Sequence, residues 1–278
     1  MTAAALATAC AVIFGTADFF GGLATRRSRV LAVVVFSQLG GLLLIAALMP
    51  FLNGTFSPTA MLWGMAAGVA GAAGIVMFYR GLATGMMSVV APVTATTSMG
   101  LPVLFGLFKG DRPSVVALAG VVLGLVAVTL VSRSPDGPAG GSRVWPILNA
   151  LISGAGFGGF FILLKVAPAD AGLWPLLGSR IASITLVALL AVVTGRSLRP
   201  IPGTLRVTAA AGLLDMSANV LYVFAAQRGM LTLVAVLVSL YPASTLLLAR
   251  YVLGERLSRV QLAGVGFALG AVALIAAA

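Results

Sequence analysis

The sequence predicts an all-α integral membrane protein whose ten transmembrane helices form two inverted five-helix repeats. Three observations carry that prediction. Of the 278 residues 60% are apolar and 8% charged, with a mean hydropathy of +1.14, against roughly 25% charged in an ordinary soluble domain. Apolar runs of about 20 residues, the length a helix needs to cross a ~30 Å hydrocarbon core, recur along the chain. Finally, GDRPSVVALAGVVLGLVAVTL at 110–130 returns without a gap as GERLSRVQLAGVGFALGAVAL at 254–274, 144 residues later and identical at twelve of twenty-one positions.

Charges, prolines and glycine clusters place the ten spans near 2–23, 29–49, 59–80, 86–108, 114–132, 145–166, 171–194, 205–227, 230–252 and 258–277. The runs lack the ~10-residue alternation of barrel strands, so helices are expected. No basic stretch precedes the first run, MTAAALATACAVIFGTADFFGG, and it reads as a span and not as a cleaved leader. Gly110 and Gly254 end the fourth helix of each half, and Ser114 and Ser258 stand where an N-cap of the fifth belongs. The most polar linker, SRSPDGPAGGSR at 132–143, divides a repeat at 1–132 from a repeat at 145–278, with 133–144 between them.

An odd number of helices per repeat forces the second half to start on the opposite face of the membrane. The charges follow that inversion. Arg26, Arg27 and Arg29 lie between spans one and two, whereas the equivalent loop between six and seven holds Asp170 and no base. The loop between two and three is uncharged, whereas its counterpart holds Arg196, Arg199 and Arg206. Adding Arg80, Arg133, Arg143, Arg250, Arg256 and Arg259 puts twelve bases on one side, against Lys109, Arg112 and Arg228 on the other. The positive-inside rule then places the first side in the cytoplasm and both termini outside. The same rule accounts for the net charge of +11 without nucleic acid.

Composition also bounds the chemistry. There is no His and one Cys, Cys10, so imidazole catalysis, Cys/His zinc sites and intramolecular disulfides are excluded. Cys10 reads as a small buried hydrophobe. The glycine runs GVAGAAG (68–74) and GAGFGG (154–159) allow close helix contact and are not phosphate loops, since no Lys-Ser/Thr pair follows either. No cofactor and no metal are expected.

Four ionisable residues fall inside spans: Asp18, Lys165, Arg180 and Asp215. Each costs roughly 2.5–3.5 kcal/mol near a helix centre, so they either pair to hold helices together, with Lys165 snorkelling to the interface, or line a polar path. Asp215, Asn219 and Tyr222 recur at i, i+4 and i+7, one helical face. Their aligned positions in the first half are Gly71, Ile75 and Phe78, so this polar stripe belongs to one half alone. The fourth span sets Pro92 and Pro102 about Thr94, Thr96, Thr97 and Ser98, and the ninth carries Ser239, Tyr241, Pro242, Ser244 and Thr245. Interior prolines free backbone carbonyls, which either face a cavity or mark a packing kink. Asp111 and Glu255 read as loop charges beside an Arg or as coupling groups.

Two five-helix halves closing in G-[DE]-R and L-A-G resemble the EamA-type transporters of the drug/metabolite transporter superfamily. The family's aromatic-Gly pair with a Lys eight residues after the aromatic is matched by Phe157, Gly158 and Lys165; in the first half Phe14 and Gly15 match, Gly22 stands in place of the Lys, and Asp18 is added. Arg180-Ile181-Ala182 resembles a basic site of the second helix, where the first half has Gln38. The resemblance implies a multi-pass carrier of the inner membrane working by alternating access. In it the first four helices of each half enclose a cavity and the fifth helices pack outside, where they can support a homodimer. It also implies termini in the cytoplasm, opposite to the charge bias.

The leading expectation is therefore a secondary active transporter, an exporter, of a small metabolite such as an amino acid or related compound, driven by protons or by a counter-substrate. Asp18 and Asp215 are the candidate proton or cation sites, and Lys165 and Arg180 the candidate anion partners. Asn219, Tyr222, Tyr241, Gln38 and Ser98 complete the candidate substrate site. The alternatives are a non-transporting structural subunit and an intramembrane enzyme. Against the enzyme stand the missing His and the lack of a recurring acid pair.

Overall fold

The computed structural model describes residues 2–25, 27–52, 54–82, 87–131, 144–254 and 257–278, with side chains except at 79–82, 87–92, 144 and 146. The linker up to Arg143 and Arg26, Arg133, Glu255 and Arg256 fall outside the described residues, as do the side chains of Arg80 and Pro92. The helices are α1 (Thr2–Thr25), α2 (Val30–Leu48), α3 (Pro58–Leu82), α4 (Met87–Phe108), α5 (Val115–Val131), α6 (Val144–Val166), α7 (Trp174–Val193), α8 (Leu205–Arg228), α9 (Leu231–Ser239), α10 (Tyr241–Leu253) and α11 (Arg259–Ala277). They correspond to ten spans, because α9 and α10 are two pieces of the ninth. The sequence suggested one helix there. It breaks at Leu240, two residues before Pro242, whose ring and missing N–H prevent the helix from continuing through it. By contrast, α4 runs unbroken through its two prolines.

Among the described residues eight of these spans are long and apolar enough to cross a bilayer; the others are shorter apolar stretches, Val93–Phe108 and Val115–Val131. The chain is an integral, multi-pass membrane protein. The duplicated motif ends helices as expected: Gly110 and Gly254 have φ of 105° and 68°, values that favour glycine. Ser114 Oγ accepts from the Ala117 N–H at 3.1 Å, and Ser258 and Gln261 form a reciprocal capping box.

Packing follows the duplication. Helix α1 lies on α8 as α6 lies on α3; α2 lies on α8 as α7 lies on α3; and α4 lies on α6 as the ninth span lies on α1. Exchanging the halves maps these neighbours onto one another, with α5 and α11 paired beside the bundle. The contacts repeat in detail. A Cβ on Gly68 of α3 would stand 2.2 Å from the Ser179 carbonyl oxygen of α7, and one on Gly212 of α8 would stand 1.9 Å from the Ser37 carbonyl oxygen of α2. Only glycine permits these two backbone approaches. The halves are also inverted: α1 begins beside the α8–α9 turn, where Ala3 abuts Gly229, and α6 ends there, where the Lys165 ammonium donates to the Ala226 carbonyl.

The two faces of the bundle are therefore distinct. One holds the termini and the α2–α3, α4–α5, α6–α7 and α8–α9 connections, with Lys109, Arg112 and Arg228. The other holds the α1–α2 and α7–α8 connections, and its described bases include Arg27, Arg29, Arg196, Arg199 and Arg206.

Candidate functional site

A cavity of about 610 Å³ lies between the halves, within the ~300–1,000 Å³ range of small-molecule sites. Its polar wall brings together Asp18 on α1, Gln38 on α2, Ser98 on α4, Arg180 on α7, and Asp215 and Asn219 on α8, with Tyr241 at the start of α10. Most of the rest is aromatic and apolar. Gly71, Ile75 and Phe78, the first-half counterparts of the α8 polar stripe, form part of that apolar wall.

The polar groups are tied into one network. Arg180 forms an ion pair with Asp215, and its Nη1 donates to Gln38 Oε1 at 3.3 Å. The Ser183 hydroxyl donates to the same Gln38 oxygen. Asn219 Nδ2 donates to the Asp215 carbonyl at 2.8 Å and to its carboxylate at 3.3 Å. Close backbone approach makes the network possible: Gly41 and Gly212 bring α2 against α8, and a Cβ on Gly41 would come 3.5 Å from Arg180 Nε. Arg180 is buried, its side chain 9% exposed, whereas that of Asp215 is 38% exposed where it faces the cavity. Desolvation offsets much of the Coulomb gain of such a pair; its firm consequence is that the two charges cancel.

Asp18 differs. It is exposed to the cavity and has no hydrogen-bond or ion-pair partner among the described residues. One turn earlier on the same helical face stands Phe14, its ring centroid 6.3 Å from that of Tyr241 and 6.2 Å from that of Phe161. The Ser98 hydroxyl is bonded to the Ala95 carbonyl of its own helix at 2.9 Å.

Two expected residues are elsewhere. Tyr222 does not line the cavity: it is fully buried, donates to the Phe161 carbonyl at 2.7 Å and packs its ring 4.6 Å from the Phe161 ring. Rotation does not exclude it, since Asn219 is about 40° from Asp215 around the helix and Tyr222 only about 20°. Tyr222 instead lies two turns, about 10 Å, farther along α8 toward the α8–α9 turn, past the end of the cavity. Lys165 lies near one end of its helix, beside a separate cavity of about 80 Å³, and is bound to the Ala226 carbonyl. It joins α6 to α8 and does not meet either acid. Cys10 is buried, with its thiol on the Ala218 carbonyl at 3.1 Å.

The sequence reading missed two features. Ser183, three residues after Arg180, completes the Gln38 network; its helical spacing was the available signal. Asp111 is more than a loop charge. Its Oδ2 accepts from the Thr232 N–H and from the Thr232 hydroxyl, both at 2.9 Å. Thr232 is the second residue of α9, whose N-cap Met230 offers no side-chain acceptor. Asp111 thus caps, from the first half, a helix of the second. On the same face the Thr55 N–H donates to the Asp170 carbonyl at 3.0 Å, and the Phe56 and Trp174 rings meet at 4.8 Å. These contacts bridge the halves on the face with the termini, where no described lining residue of the cavity lies, while the lining reaches toward the arginine-rich face, where Val131 ends α5 and Gln261 lies in the first turn of α11.

The fold is a polytopic helical bundle with a central cavity lined by both halves. Residues 144–277, just under half of the chain, match the model of the EamA-like transporter family. A solved crystal structure described only as that of a protein superposes with a TM-score of 0.80 at 18% identity, covering 98% of this chain and 95% of that one; at that identity it establishes the fold alone. No curated protein matches the chain by sequence.

Proposed function

We propose that the chain is a secondary active transporter that exports a small metabolite, such as an amino acid or related compound, across the cytoplasmic membrane by alternating access. The observation that carries this reading is the cavity shared by two inverted halves, its lining extending toward one face while cross-half contacts bridge the other. The repeats are 1–132 and 145–278. Charge bias puts the arginine-rich face in the cytoplasm and the termini outside, so this conformation is poised to receive cargo from the cytoplasm. Asp18, Gln38, Ser98, Arg180, Asp215, Asn219 and Tyr241 form the substrate and ion site. Asp18 and Asp215 take up the coupling proton or face the counter-substrate. The α5–α11 pair, outside the bundle, offers the surface for a homodimer.

The test is reconstitution in proteoliposomes, with counterflow of labelled amino acids and related metabolites measured with and without an imposed proton gradient. Saturable exchange above protein-free vesicles is expected, accelerated by the gradient if protons drive it. Absence of exchange for every compound under every gradient would falsify the carrier reading.

A further inference from the structure

Resting on that carrier reading, the charge accounting of the cavity points to a substrate class: we infer that the cargo is a monovalent organic cation, an amine carried on an apolar or aromatic body. Among the described lining residues, the formal charges are those of Asp18, Arg180 and Asp215. Arg180 and Asp215 neutralise each other in a direct ion pair. Among the described lining residues Asp18 alone is uncompensated, so that their formal charges sum to −1. A carboxylate held in an apolar surround without a partner is costly, and a cation arriving there supplies what the protein leaves out.

The surroundings of Asp18 suit an ammonium group with a hydrocarbon body. Phe14 is one turn away on the same face of α1, and its ring lies 6.3 Å from Tyr241 and 6.2 Å from Phe161. Three aromatic rings beside a carboxylate offer a cation both a counter-charge and π faces. An anionic cargo would have to use Arg180, but both Nη atoms of that guanidinium are engaged by Asp215 and Gln38, and its Nε is buried out of reach, 3.5 Å from where a Cβ on Gly41 would stand. A neutral cargo would leave Asp18 to be balanced by a proton alone.

The experiment is calorimetric binding to the purified full-length protein in detergent, using 2-phenylethylamine, 2-phenylethanol and phenylacetate as a cation, a neutral isostere and an anion on one body. The amine is expected to bind at least tenfold more tightly than the other two, the value of one charge-assisted contact. Asp18→Asn, which removes charge at a position with no partner among the described residues, should erase that preference. Phe14→Leu should weaken the amine about three- to tenfold and provides a second reading should Asp18→Asn fold poorly. Tightest binding by phenylacetate, equal binding by all three, or full amine affinity in Asp18→Asn would overturn the inference. Counterflow of an acidic or neutral metabolite in proteoliposomes would then still leave the carrier standing, so the two failures are separable.

Discussion

Replacing Asp111 with Asn tests whether the face with the termini is held closed by a cap supplied in trans. In the structure Asp111 Oδ2 accepts two hydrogen bonds from Thr232, each 2.9 Å long, at the N-terminus of α9. Hydrogen bonds to a charged group contribute about 1.5–3 kcal/mol, roughly twice the neutral value. An amide retains an acceptor oxygen and loses the charge, and with it about 0.3–1 kcal/mol of interaction with the α9 helix dipole. The net loss is about 1.5–3 kcal/mol. Because the contact joins the halves, it weighs on the sealed state alone, and the balance between sealed and open forms should shift about ten- to a hundredfold. Spin labels at Lys109→Cys and Gln227→Cys in a Cys10→Ala background would report it, since both positions are exposed on that face in opposite halves. Asp111→Asn should enlarge the population at longer distance. Gly106→Ala should do the same by another route, because a Cβ there would stand 2.5 Å from Asp111 Oδ2 and 2.6 Å from Thr232 Oγ1. Unchanged distance distributions in both variants would refute the cap as a seal.

Two further outcomes follow from the site. Arg180→Met leaves the Asp215 carboxylate without its cation; with that side chain 38% exposed, cavity solvent screens part of the loss, and thermal unfolding should register about 1–3 kcal/mol, whereas the double variant with Asp215→Asn should recover most of it. Tyr222→Phe removes one buried hydrogen bond, to the Phe161 carbonyl at 2.7 Å, and should cost about 1–2 kcal/mol in stability while leaving the affinity of any cavity ligand unchanged; a large change in affinity would mean that Tyr222 does face the cavity.

Sequence alone determined the helical membrane class, the number of spans and the inversion, because hydropathy, turn residues and arginine placement are local properties that the bilayer reads one segment at a time. It likewise singled out Asp18, Arg180, Asp215 and Asn219, since a charged or amide group inside an apolar run is conspicuous wherever it points. Which of those groups face one another was decided by packing. Lys165 and Arg180 look alike in the sequence, yet one is tied to the Ala226 carbonyl near a helix end and the other is paired with Asp215 between the halves. Tyr222 shares a helical stripe with Asp215 and still lies buried in protein. Asp111 finds its partner 121 residues away. Such contacts depend on helix rotation and on the depth to which Gly41, Gly68 and Gly212 let neighbouring backbones approach, and rotation and depth exist only once the helices are assembled.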